Sequence, residues 1–202
     1  MKNLFLLFFS TFLVAGCAST SAIDIYQQAD KFDGTISIHT GESIAYGFDR
    51  VIAFNASFAY YFHEHSDSYF LSASRSGIQN LEKLKINIDG NIIELKPIGV
   101  LTRFHVNQTQ GQTLTPSLYI PGSISSSSSK SFRLTRALID KMNTGSDVKM
   151  RLITSETYYD VDYTFIPLGM DMKDLGVGIK TVSEKFLAKV DEFKRTQKGK
   201  TQ

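Results

Sequence analysis

Few side chains in this sequence have types and spacings that suit chemistry beyond packing. The first is Cys17, the single cysteine, which stands directly after the residues "LFLLFFSTFLVAG". A thiolate is the strongest nucleophile a side chain offers and a natural acceptor for a covalent group. The second is the stretch His63-Glu64-His65-Ser66-Asp67. On a strand, His63 and His65 would share one face within reach of a single zinc ion, and Asp67 would continue that face. A structural zinc site needs four ligands, and the remaining histidines, His39 and His105, sit in unrelated segments. The same residues therefore also read as a polar strand end before a turn. Asp160 and Asp162 are spaced like paired carboxylates, yet simple alternation makes them the wet face of a strand. No Gly-x-Ser-x-Gly occurs, and "GVGIK" (176–180) lacks phosphate-loop spacing. The expectation is a protein without a catalytic constellation or a cofactor, with His63 and His65 its only candidates for metal.

The surroundings of Cys17 decide what its thiol is for. One positive charge at Lys2 precedes the apolar run of residues 4–14. That run is too short to span a bilayer, which takes about 20 apolar residues. A basic start, a short apolar stretch and the small residues Ala15-Gly16 have the form of a secretory signal peptide. With the cysteine added, Val14-Ala15-Gly16-Cys17 resembles the lipobox of bacterial lipoproteins, in which Leu is commoner at the position of Val14. The resemblance covers the first 20 residues and is silent about the rest. It implies diacylglycerol on the Cys17 sulfur, cleavage between Gly16 and Cys17, and a fatty acyl group such as palmitate on the new amino terminus. Two or three chains make a durable anchor where one gives only marginal binding. Ala18 stands where an Asp would imply retention in the inner membrane. The resemblance thus implies the outer membrane, with the inner membrane and the cell surface as alternatives.

Removal of 16 of the 202 residues leaves 186, comfortable for one domain with a real core. The intact chain has 22 basic and 20 acidic side chains, and only Lys2 leaves with the signal. That near balance argues against nucleic acid as a partner. With Cys17 acylated no disulfide can form, so the fold must rest on packing. The organisation expected is a signal peptide over 1–16, a lipidated N-terminus and tether over 17–33, and a single β-rich domain over 34–202 that ends in a helix and a basic tail.

The elements that must position any site follow from periodicity. Ile36 and Ile38 alternate with polar residues, and Ile52, Phe54, Ala56, Phe58, Tyr60 and Phe62 form one face of a long strand. Tyr69, Leu71 and Ala73 mark another, as do Val148, Met150 and Leu152, and then Tyr159, Val161, Tyr163 and Phe165. "LKINIDGNIIEL" (84–95) reads as a hairpin with Asp89-Gly90 in a type I′ turn, which pairs Leu84 with Leu95, Ile86 with Ile93 and Lys85 with Glu94. Thr135 caps a short helix through Asn143 that Gly145 stops, with Leu134, Leu138 and Met142 on one side. A second helix is expected from Val182 to Arg195, opened by a Thr181/Glu184 capping box and striped by Val182, Phe186, Val190 and Phe193. "GSISSSSSKS" (122–131) has the composition of an exposed, mobile loop.

The aromatic runs "FAYYF" (58–62) and "YYDVDYTF" (158–165) suit either core packing or a groove for a sugar or peptide. The basic residues Lys194, Arg195, Lys198 and Lys200 suit either a solvated tail or anionic head groups. These readings combine into a mainly β (α+β) fold, an antiparallel β-sandwich or partly open barrel with a short inserted helix and a C-terminal amphipathic helix. The function expected is that of an outer-membrane-anchored lipoprotein whose periplasm-facing domain is a binding or assembly module. Its partners would be the membrane, through the lipid, and an envelope protein or polymer. The alternatives are a metal-dependent hydrolase using His63 and His65, or a surface-exposed adhesin.

Overall fold

The computed structural model describes residues 24–46, 52–109, 112–115, 118–120, 123–164 and 178–199. Val14-Ala15-Gly16-Cys17 and the signal segment lie outside the described residues, as do Phe165, Gly176 and Lys200.

In chain order the strands are β1 (Ile25–Ala29), β2 (Ile36–Thr40), β3 (Ser43–Tyr46), β4 (Ile52–His63), β5 (Ser68–Ser76), β6 (Leu81–Ile88) and β7 (Asn91–Leu95). Then come β8 (Arg103–Gln108), β9 (Gln112–Thr115), β10 (Leu118–Ile120) and β11 (Ile124–Leu134). Helix α1 (Arg136–Thr144) precedes β12 (Val148–Thr154) and β13 (Tyr158–Asp162), and α2 (Ile179–Lys198) follows. Eleven strands form one sheet in the order β7-β6-β12-β13-β3-β4-β5-β11-β8, with β2 also on β4 and β1 on β2. Every pairing is antiparallel, and β9 with β10 makes a separate two-stranded ribbon. The sheet curls as a half-barrel. Its two arms approach where the chain after β7 bridges β11 at Pro97 and Phe132, and Ile98 N donates to Ser131 O at 2.8 Å. The α+β, partly open barrel expected from the alternation is what forms.

Alternation places one row of each strand on the inner face. Phe58, Tyr60 and Phe62 of β4, Tyr69, Leu71 and Ala73 of β5, and Val148, Met150 and Leu152 of β12 are all buried there. Helix α2 covers this face with Ile179, Val182, Phe186, Leu187, Val190 and Phe193. The Phe186 ring stacks on Tyr60 at 5.5 Å and meets Tyr69 edge-on at 6.5 Å, while Phe193 lies edge-on to Phe62. The stripe read from sequence is therefore the lid of the core. In a protein most of a helix's stability comes from docking such a face.

The 84–95 hairpin keeps the register given by Asp89-Gly90: Leu84 pairs with Leu95, Lys85 with Glu94 and Ile86 with Ile93. Asp89 and Gly90 both have positive φ, as a type I′ turn requires. Helix α1 is capped by Thr135, whose side chain accepts from Leu138 N, and it ends at Gly145. Ile139 and Met142 are its buried residues, with Leu138 only partly covered.

Three expectations are corrected. The serine run is a strand: Ser127 to Ser131 pair with Ser76 to Ser72 of β5, because alternate positions of the run end in Lys130, Phe132 and Leu134 on the inner face. Part of the stretch expected as tether, Ile25–Ala29, pairs with β2 over its whole length. Helix α2 starts three residues earlier than the capping box implied, at Ile179 after Gly178, and no side chain caps it. It also runs on to Lys198, three residues beyond the expected end at Arg195; the Lys194 ammonium bonds Asp67 at 2.5 Å and the Tyr69 hydroxyl at 3.1 Å. Every described strand and helix lies downstream of Asp24.

Candidate functional site

Away from α2 the sheet presents an outer face whose side chains are not used by the core. Strand pairing aligns Tyr26 of β1 with His39 of β2, His39 with Tyr61 of β4, Tyr61 with Phe70 of β5, and Phe70 with Arg133 of β11. One continuous row of rings thus crosses four strands and ends in a guanidinium on the fifth. Tyr26 and His39 stack at 5.1 Å between ring centres with 25° between planes, and His39 and Tyr61 at 5.6 Å with 19°. At the β1 end of the row the Tyr26 hydroxyl donates to Asp24 Oδ2 at 3.2 Å. Burial raises the Tyr61 hydroxyl above its ordinary range, and the nearby Glu42 carboxylate adds to this.

Beside the ring row lies a field of small hydroxyls. Ser72 pairs with Ser131, Ser57 with Ser74, Ser74 with Ser129, and Ser129 with Arg103 of β8. The one acid in the field, Glu42, accepts hydrogen bonds from Ser57 Oγ at 2.6 Å and from Ser74 Oγ at 2.8 Å. The surface is low in relief, rich in donors and acceptors, and bordered by Arg103 and Arg133. It suits an extended ligand bearing hydroxyl, amide or acidic groups; aromatic side chains with such polar neighbours are common in binding sites.

The residues singled out from sequence fare unevenly. Strand β4 ends at His63, so His65 falls in the following turn and the two imidazoles do not share a strand face. His63 meets Phe70 edge-on at 5.4 Å. The neighbouring acids are engaged elsewhere: Glu64 Oε2 accepts from Ile36 N at 3.0 Å, and Asp67 pairs with Lys194. Among the described residues no group of three His, Cys, Asp or Glu is placed to hold a metal ion. Asp160 forms a two-point ion pair with Arg151, and Asp162 Oδ1 accepts from Thr164 N. Of "FAYYF", Phe58, Tyr60 and Phe62 are core and only Tyr61 reaches the outer face. Arg75, on the inner side of β5, lies over the Tyr159 ring at 3.6 Å.

Sequence reasoning missed the outer row and Glu42. Each row member comes from a different strand, so no local spacing marks it; the outward positions of the alternation were the available signal. No family model, curated protein or solved structure matches this chain.

Proposed function

We propose that this protein is a lipid-anchored envelope protein of the outer membrane, held through Cys17, whose β domain is a periplasm-facing binding or assembly module. The observation that carries the reading is Val14-Ala15-Gly16-Cys17 after a short apolar run, with no second cysteine in the chain. Among the described residues no helix is long and apolar enough to cross a membrane. The outer face supports the second half of the reading. Its serine hydroxyls, stacked rings and bordering arginines suit an envelope polymer or an extended protein segment better than a small molecule, which wants an enclosed pocket.

The test of the anchor is chemical. Intact-mass analysis of the protein from membranes should find the chain starting at Cys17 with diacylglycerol and a further acyl group. Cys17→Ser should lack both and leave the membrane fraction. An unacylated Cys17 in membrane-bound protein would end the proposal. For the module, crosslinking in cells from Ser72→Cys or Ser129→Cys in a Cys17-lipidated background should capture one envelope component, which the added bulk of Ser129→Arg should abolish.

A further inference from the structure

We infer that the edge of the sheet at β8 is a second membrane contact, a lipid-facing patch whose Ile124 end meets the bilayer to which Cys17 ties the chain. The inference rests on the lipid anchor proposed above. Among the described residues β8 is the last strand of the sheet, and all of its residues are exposed. On the inner side of the β8–β11 ribbon, Phe104 (50 % exposed) faces Ser128 and Val106 (60 %) faces Ser126, with Ile124 (73 %) diagonal to Val106. The turn after β5 reaches the same ribbon, since Gly77 N donates to Ser126 O and Gln79 N to Ser128 Oγ, and it adds Ile78 at 64 %. The loop that leads into β8 adds Val100 and Leu101, both above 80 %. A monomeric surface rarely gathers so many large apolar side chains in one place. No Asp or Glu occurs between Glu94 and Asp140, while Arg103, His105 and Lys96 do. An acid-free apolar strip with basic neighbours matches a bilayer interface carrying anionic lipid.

The strand directions say which end of the molecule the anchor approaches. Ile25 pairs with Thr40, whose Oγ1 accepts from Tyr60 N, so β1 begins level with Tyr60 of β4. Strand β1 runs from there past Tyr26, level with Tyr61. Its N-terminal end therefore points toward the Ile52 end of β4. The same registers carried through β5 set Ser127 level with residue 55, and so Ile124 level with Ile52. From Ile25 to the level of Ile124 is about 26 Å along the strands, at ~3.3 Å per residue. The eight steps from Cys17 to Ile25 span at most roughly 26–29 Å. A fully extended tether thus just reaches the level of Ile124, and any more compact one brings the bilayer onto that end of the ribbon. The opposite end of the sheet carries Asp30, Asp33, Glu64 and Asp67 with Lys31 and Lys194, whereas the β8–β11 ribbon itself carries no acid.

The chain from Ala18 to Gln202 contains every described element and no cysteine, so single probes can be placed in it. A bimane label on Ile124→Cys should shift to the blue on vesicles of phosphatidylethanolamine and phosphatidylglycerol, and the same label on His65→Cys, at the opposite end, should not. Val106→Asp should lower vesicle partition by about tenfold with an unchanged denaturant midpoint. The inference is overturned by a chain that stays unbound at millimolar lipid, by a shift at His65→Cys rather than Ile124→Cys, by Val106→Asp binding as tightly as the parent, or by a shift without vesicles that grows with protein concentration. The last outcome would mean that a second copy covers the patch. None of these outcomes touches the mass of Cys17, so failure of the patch and failure of the anchor are told apart.

Discussion

At Gly145 the backbone has φ −61° and ψ 144°, which any residue adopts, yet a side chain there has no room. A Cβ would lie 2.6 Å from Val148 Cγ2 and 3.0 Å from Ile88 Cγ2, both on buried side chains. Gly145→Ala should cost ~1–3 kcal/mol as overpacking, measured as a lower denaturant midpoint, and the reason is space and not a left-handed turn. Deeper in the core, Tyr163 donates to Asn143 Oδ1 at 2.6 Å, Ser183 donates to the same oxygen at 2.7 Å, and Tyr60 donates to Tyr163 at 3.3 Å. Burial pushes the Tyr163 hydroxyl up to about 12. Asn143→Leu would leave the Tyr163 and Ser183 hydroxyls without their acceptor and should cost about 1–3 kcal/mol or more, whereas Ser183→Ala removes one donor and should cost less. Between the helices, the Arg136 guanidinium bonds both oxygens of Asp191 and holds that carboxyl below the usual carboxylate range. A folded value below the unfolded one stabilises above about pH 4 and is lost as pH falls through the lowered value. Both side chains are more than a third exposed, so Asp191→Asn should cost under ~1 kcal/mol at neutral pH, and the difference should vanish in melts at strongly acidic pH.

Elements add a test of register. Glu94 lies 3.2 Å from Lys83 and 3.8 Å from Lys85, so it serves two cations on β6 rather than one. Glu94→Lys should destabilise the hairpin modestly, and Lys85→Glu in the same chain should recover ~0.2–1 kcal/mol, read as non-additivity in a double-mutant cycle. Phe186→Ala should cost ~3–5 kcal/mol, since its ring is fully buried against Tyr60 and Tyr69. These elements were legible because their signals are local: alternation in β4 and β5, the Asp89-Gly90 turn, Thr135 before α1, and the spacing of Val182, Phe186, Val190 and Phe193. The serine strand was not legible. Its inward residues Ser128 and Lys130 are polar, and they are satisfied only by distant partners, Ser128 by Gly77 O and Gln79 N, Lys130 by Val100 O. Likewise β1 owes its form to pairing with β2, and its own burial is slight. Of the candidate site, Tyr61 could be seen in a suggestive run, but the row that gives it meaning assembles residues from β1 to β11.

Across the whole molecule, the sheet is joined unevenly. Among the described residues, β13 and β3 meet at the pair Asp162 and Tyr46, while β4 and β5 pair over eight positions. Amide exchange should therefore be faster at the β3–β13 seam than across β4–β5, where the ladder is long and its inner face is buried under α2. The placement of α2 bears on how the protein comes to be made. Phe186, Val190 and Phe193 close the inner face, and they belong to the last element of the described chain. Until that segment has been synthesised, Tyr60, Phe62 and Tyr69 lack the rings of Phe186 and Phe193 that cover them. At ~5–20 residues per second, the nascent chain spends most of its synthesis unable to complete its core. Until α2 docks, the inner face of the half-barrel stays open, the kind of exposed apolar surface on which incompletely folded chains aggregate.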